Sequence, residues 1–194
     1  AGDKEYSDDE LIITYNNEYV KDTKYENAFI LTVLNPKLNI MKNNYKKRNK
    51  IGLLVRKCKD FEYKMNLLNQ YKHLLKLPVI SIDDEINKCT DLRNLSKIYN
   101  TISLFISFDP HTYHSKMAAL CGCTSVVIPS KEISSEEFYN VTKYGVAYGF
   151  ENIDFAKLTY SKMIDDLKQM EQNTFTQCAN FVKLIQNHFI YKSN

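Results

Sequence analysis

From residue 51 to residue 150, short β-branched runs alternate with segments of helical periodicity, and this alternation confines the chain to few folds. The runs are IGLLVRK (51–57), PVISID (78–83), SLFISF (103–108), SVVIP (125–129) and VAYGF (146–150). Between the first two, FEYKMNLLNQYKHLLK (61–76) repeats apolar residues at Tyr63, Leu67, Leu68, Tyr71, Leu74 and Leu75, the spacing of one helical face. DLRNLSKIYN (91–100) reads as a helix capped by Asp91, and residues 110–121 as a helix of small residues. Ser134-Ser135-Glu136-Glu137 opens another, with carboxylates in its first turn as the helix dipole prefers. From Asn152 to about His188 the pattern is helical, expected as two helices broken near Asn173-Thr174. Strands and helices in this order predict an α/β fold: a Rossmann-like parallel sheet flanked by helices, with a helical C-terminal arm.

Upstream, ELIITY (10–15) and NAFILTVLN (27–35) are strand-like, and Pro36 with the basic, Asn-rich segment 37–50 makes a break. The expected organisation is a lead-in over 1–36 with one or two strands, a Rossmann-like domain over 37–151, and C-terminal helices over 152–194 packing on it. A chain of 194 residues suffices for one good core. No apolar run approaches the ~18 residues of a membrane span, the longest candidate being AFILTVL (28–34). The acidic start, AGDKEYSDDE, lacks the apolar core of a signal peptide. Five cysteines, an odd number, give no disulfide framework, so a reduced, cytoplasmic setting is expected.

The net charge is only +3, but ten basic residues fall between Lys37 and Lys64 against Asp60 and Glu62. Such a run can hold nucleic acid. The plainer reading is a solvated loop, and nucleic acid is not the expected partner. The only arginines are Arg48, Arg56 and Arg93, so planar, bidentate recognition of phosphate has few candidates. The glycine fingerprint of dinucleotide-binding folds and the phosphate loop of P-loop enzymes are both missing, so NAD, FAD and P-loop chemistry are not expected. His111 and His114 have a spacing that permits a metal pair or a general base, yet no third ligand is placed to join them, and no metal is expected. Cys121-Gly122-Cys123 is too tight for ordinary zinc ligation and reads as buried, apolar cysteine. No serine stands in a nucleophile elbow, which removes support for a hydrolase triad.

Chemistry concentrates in SFDPHTYHSKMAALCGCTSVVIPS (107–130), a polar elbow at the mouth of a strand, where open α/β sheets bind ligands. Arg56 and Lys57, at the carboxyl end of the first strand of the sheet, are placed to neutralise a diphosphate, Arg56 as a fork and Lys57 as a point charge. Asp109-Pro110 reads as a helix start, with Asp109 as N-cap and the amides of His111, Thr112 and Tyr113 facing an anion. Asp109 is equally suited to hold sugar hydroxyls. Gly52, Gly122, Gly145 and Gly149 mark turns or close approaches. Gly122 suits a helix C-cap, and Gly145 and Gly149 bracket the last strand.

DPHTYHSKMAALCGCTSVVIP and KYGVAYGFENIDFAKLT together resemble the C-terminal, donor-binding half of bacterial and viral glycosyltransferases of the two-domain GT-B kind. ELIITYNNEYVKDTKYENAFILTVLNP resembles the segment leading into that domain and GLLVRK its first strand, so the resemblance covers roughly residues 10 to 160. It implies a nucleotide-diphosphate sugar as donor, a glycan or other acceptor, and no metal or other cofactor. By position it implies that Arg56 and Lys57 face the diphosphate and, with Asp109, form the catalytic set. Gly52, Thr112, Tyr113, Ser115, Lys116, Gly122, Tyr148 and Gly149 become the substrate-binding positions. Many retaining members carry two acidic residues with seven between them; Asp109 matches the first, and Met117 stands at the second. The acceptor-binding half is expected on an N-terminal domain or a second chain. Two further readings remain: a non-catalytic α/β interaction module that has kept the fold, and a nucleic-acid-binding domain using the 37–64 run.

Overall fold

The computed structural model describes residues 12–14, 28–31, 38–44, 47–89 and 91–190. Its contacts divide the chain into two units, Pro36–Leu167 and, separately, Ala1–Asn35 with Lys168–Asn194. In the second of these, β1 (Ile13–Thr14) pairs in parallel with β2 (Phe29–Ile30), and the Phe29 and Phe181 rings meet with centroids 5.9 Å apart. The rest of the two upstream runs lies outside the described residues.

The larger unit is built on β3 (Lys50–Leu54), β4 (Val79–Ser81), β5 (Ile102–Ser107), β6 (Thr124–Val127) and β7 (Ala147–Tyr148). All are parallel, in the order β4-β3-β5-β6-β7. Side chains on a strand alternate between faces, so β5 and β6 divide the core in two. On one face Ile106, Val126 and Ala147 pack with Leu68 of α1 (Phe61–Gln70) and, further along the chain, Ala156. On the other, Tyr99 stands edge-on to Phe105, and Phe138 stacks on Tyr148 beside Val127. A strand covered on both faces shows no polar face, which is why β5 reads as the largely apolar run ISLFIS, whose two serine hydroxyls are satisfied by the Lys50 and Asp109 carbonyls.

The remaining helices are α2 (Ile82–Lys88), α3 (Leu92–Tyr99), α4 (His114–Leu120), α5 (Ser135–Thr142), α6 (Ile153–Leu158) and α7 (Tyr160–Ile185). Asp91 caps α3 by accepting the Arg93 amide at 3.0 Å, and Ser134 with Glu137 forms a complete capping box on α5. Among the described residues no helix is long and apolar enough to cross a membrane. All five cysteines are free thiols.

The strands at 51–57 and 146–150 are shorter than expected, β3 ending at Leu54 and β7 covering only Ala147–Tyr148, and four further boundaries differ from the sequence expectation. PVISID does not continue as a strand: the Ser81 hydroxyl accepts the Asp84 amide and starts α2 at Ile82. The 61–76 helix stops at Gln70 and gives way to a 3₁₀ turn at Lys72–Leu74. The C-terminal helix is unbroken at Asn173-Thr174, where the Thr174 hydroxyl bonds back to the Met170 carbonyl within the helix. The break comes instead at Thr159, whose hydroxyl accepts the Gly145 amide and donates to the Phe155 carbonyl, fastening the helix end to the chain entering β7. The fourth difference concerns the elbow. Asp109 is not an N-cap: α4 begins five residues later, and the Asp109 carboxylate closes a local turn on the His111 amide at 3.0 Å.

Candidate functional site

The chain runs from β3 outward to β4, then returns to the opposite side of β3 to make β5. Successive connections therefore leave the sheet in opposite directions at β3 and β5, and the crevice beyond their carboxyl ends is where open α/β sheets bind ligands. Residues 55–57 emerge from one strand and residues 108–113 from its neighbour, so the fold brings Arg56, Lys57, Asp109, Thr112 and Tyr113 to one edge.

On the β3 side, the Asp83 carboxylate of α2 accepts the amides of Val55 (2.7 Å) and Arg56 (3.3 Å). Lys57 lies in the left-handed region with φ 57°, which turns the backbone sharply and is rare for a residue with a side chain. Arg56 and Lys57 are both exposed, and among the described residues no carboxylate forms an ion pair with either.

On the β5 side, Ser107 ties the elbow down: its hydroxyl donates to the Asp109 carbonyl (2.9 Å) and accepts the Asp109 amide (3.0 Å). Asp109 is buried, and its bond to the His111 amide removes that amide from the set expected to meet an anion. Ser115 is buried, with a hydroxyl that has no partner. His114, the first residue of α4, has Nδ1 2.7 Å from the hydroxyl of the fully buried Tyr99. Burial, reinforced by the Arg56 guanidinium and opposed by Asp109 and Asp83, holds His114 down at a pKa of about 4. The imidazole is therefore neutral near pH 7. Among the described residues His111 and His114 join no group of three metal-ligating side chains.

The rim is stitched together from below. Lys64 of α1 is buried and donates to the Phe108 carbonyl at 2.6 Å while pairing with Asp60 at 3.0 Å. Asp60 also accepts the Lys131 amide beyond β6. The Tyr148 hydroxyl accepts the Ser130 amide (3.0 Å) and donates to the Ile133 carbonyl (2.6 Å). Its polar atom thus braces the loop after β6. Through Asp60, Lys64 and Tyr148, the segments that follow β3, β5 and β6 are thus bonded to one another and to the end of β7.

The chain matches no family model, no curated protein and no solved structure.

Other sequence candidates lie elsewhere in the unit. Gly52 is in the middle of β3, where a Cβ would stand 2.7 Å from Ile102 and 2.9 Å from Ile82, so its smallness serves helix-to-sheet packing. Gly122 (φ 88°) enters β6 at the amino edge, opposite the crevice, against Asn43 and Arg48. Lys116 is half-buried on α4, and burial lowers its pKa, opposed by the charge of Asp166. Gly149 (φ 83°) is at the carboxyl end of β7, with its amide bonded to the Val127 carbonyl. Two cations of the basic run are committed internally: Lys64 as above, and Arg48 to the carbonyls of Tyr99, Ile102 and Cys121. Lys37 and Lys46 of that run lie outside the described residues. Asp83, Tyr99 and Lys64 are site-forming residues that periodicity does not reveal. For Asp83 a signal existed: a carboxylate directly after an edge strand falls at the same sheet edge as the cations.

Proposed function

We propose that this chain is the donor-binding half of a GT-B type glycosyltransferase, taking a nucleotide-diphosphate sugar into the crevice between β3 and β5. What carries the reading is the convergence of two unpaired cations, Arg56 and Lys57, with the 107–113 elbow at the point where the sheet reverses its winding. In this reading Arg56 grips the diphosphate as a fork and Lys57 adds a compact charge. As the bond from the sugar's anomeric carbon to the diphosphate oxygen breaks, negative charge grows on the leaving group. Cations fixed in place beforehand stabilise that charge more than they stabilise the ground state. Asp109, held at the crevice by Ser107, is near the sugar, and the acceptor hydroxyl comes from a domain or chain outside this one. The free thiols accord with a reducing, cytoplasmic setting. A thermal-unfolding panel with UDP, GDP and dTDP and their sugars tests the reading. One nucleotide series should raise the midpoint in a dose-dependent way, and indifference to all three would count against it.

A second reading has one observation in its favour. Met117, at the position where retaining family members carry an acid, is 7% exposed and packed in the core. A module that kept the fold but lost its donor site would look the same there. It would be fully folded and blind to every nucleotide, and would bind a specific protein partner instead.

A further inference from the structure

The three arginines of the chain are used differently. Arg48 is spent on the carbonyls of Tyr99 and Ile102, and Arg56 is at the crevice. Arg93, on α3, is exposed, and among the described residues its guanidinium forms no hydrogen bond or ion pair. One turn further, Lys97 is exposed as well and donates to the Asn94 carboxamide at 3.4 Å, with no carboxylate paired to it among the described residues. Residues four apart on a helix are neighbours, so one anionic group can meet both cations.

Arg93 and Lys97 stand on the wall of a groove of about 580 Å³ at the amino edge of the sheet, the edge opposite the crevice. Arg93, Ser96, Lys97 and Asn100 form that wall as a single helical face, and Asn39, Ile40 and Asn44 form the other. The volume lies within the roughly 300–1,000 Å³ of small-molecule sites. The two walls are bonded to each other. The Ser96 hydroxyl donates to the Ile40 carbonyl, and the Asn100 carboxamide accepts the Asn44 amide and donates to the Lys42 carbonyl, all at 2.9 Å. The groove is therefore shaped before any ligand enters it.

Its lining selects the occupant. Among the described residues no carboxylate lines it, and the nearby Asp91 carboxylate is turned to the Arg93 amide, so the two positive charges stand uncompensated. Asn39 and Asn44 are exposed, and among the described residues their carboxamides are unbonded; each offers a donor and an acceptor, which suits the adjacent hydroxyls of a sugar ring. The Thr101 hydroxyl donates to the Ile98 carbonyl at 2.8 Å and keeps its acceptor sites. No aromatic side chain lines the groove among the described residues, so it lacks the stacking platform that single-stranded nucleic acid uses. Ile40 alone is apolar, too little for the anchors of a peptide helix.

We propose that this groove binds an anionic carbohydrate, a sugar carrying a carboxylate or a phosphate. Arg93 and Lys97 grip the acidic group, and the carboxamides of Asn39 and Asn44 read the ring hydroxyls. The site is separate from the carboxyl-edge crevice and does not depend on the nucleotide-sugar reading.

Calorimetric titration of the full chain tests it with a glucuronate-containing disaccharide, glucose 6-phosphate, maltose, inorganic phosphate and a short oligonucleotide. At least one of the two anionic sugars should bind saturably, and which of them binds identifies the acid. Maltose, lacking the charge, and inorganic phosphate, lacking the ring, should each bind at least ~10-fold more weakly. Arg93→Gln/Lys97→Gln should lose at least ~10-fold in affinity for the anionic sugar at an unchanged unfolding midpoint, since both side chains are exposed. Asn39→Ala, which keeps both charges, should weaken the sugar and leave phosphate unaffected. The inference is overturned if neither anionic sugar binds, if the folded double variant binds like wild type, if inorganic phosphate binds as tightly as the sugars, or if the oligonucleotide binds more tightly than both. Each of these leaves the nucleotide-sugar reading standing. A nucleotide response present in wild type and lost in the Arg93/Lys97 variant would put the nucleotide in this groove and overturn both.

Discussion

The Asp83 carboxylate accepts the Val55 amide at 2.7 Å and the Arg56 amide at 3.3 Å, so a residue of α2 sets the course of the turn that carries both cations. Asp83→Ala removes two acceptors at once and should cost about 1–2 kcal/mol in urea unfolding, with weaker nucleotide binding beyond that loss. Asp83→Asn retains one acceptor and should lose less on both counts. Equal binding by the Ala variant and wild type would show that the turn holds without this contact.

Lys64 is a buried ammonium shared between the Asp60 carboxylate and the Phe108 carbonyl. Lys64→Met matches its length but strands both acceptors. Breaking one side of such a pair costs roughly 3 kcal/mol, and here water reaching the partly exposed Asp60 keeps the loss near that lower bound. Chemical denaturation of the variant measures it, and a loss within error of zero would mean that the collar does not depend on Lys64.

Asp60 links stability to pH. Its small burial opposes ionisation, but the Lys64 ammonium and the Lys131 amide prevail and hold its pKa below the ordinary 3.8. The folded carboxyl therefore binds its proton less readily than the unfolded one. Its contribution is fully present above about pH 5 and is lost as pH falls through 3.8 towards the folded value. Thermal midpoints of Asp60→Asn should fall less steeply than those of wild type over that acid range. Parallel curves would contradict the assignment.

Gly122 separates packing from binding. With φ 88° and a Cβ only 2.6 Å from Asn43 Cγ, Gly122→Ala should cost about 1–3 kcal/mol through backbone strain and displacement of Asn43. Because Gly122 is at the amino edge, the fraction that folds should bind nucleotide with wild-type affinity. A folded Gly122→Ala protein with a lost nucleotide response would place the site elsewhere.

The fold was legible in the sequence because its signals are local. The apolar runs of β3, β5 and β6, the Asp91 cap and the Ser134–Glu137 box each depend on neighbours within a few residues. Where expectation and structure part, one side chain had two options, and hydrogen bonds to near neighbours, or for Thr159 to the Gly145 amide, chose between them. Asp109 before Pro110 looks like a cap, but Ser107 and the His111 amide close it into a separate turn. Asn173-Thr174 looks like a break, yet the Thr174 hydroxyl is satisfied inside the helix, whereas Thr159 is needed by Gly145. Ile82-Asp83 extends the apolar alternation of β4, although three acids at Asp83, Asp84 and Glu85 are a helix first-turn signal. Of the candidate site, the common edge of Arg56, Lys57 and Asp109 could be read from their places at strand ends. Asp83 could not be paired with Val55, Tyr99 with His114, or Lys64 with Phe108, because these contacts span 28, 15 and 44 positions.

The most direct test removes the two cations without straining the turn. Lys57 is in the left-handed region, so glycine is the substitution that deletes its charge while relaxing the backbone. Arg56→Ala/Lys57→Gly should unfold at or slightly above the wild-type midpoint. Calorimetric titration of this variant beside wild type, with the UDP, GDP and dTDP series, should show saturable binding of one series by wild type and at least a ~100-fold loss in the variant, as expected for removing two charged donors. Unchanged affinity in the folded double variant would contradict a diphosphate site at the carboxyl ends of β3 and β5.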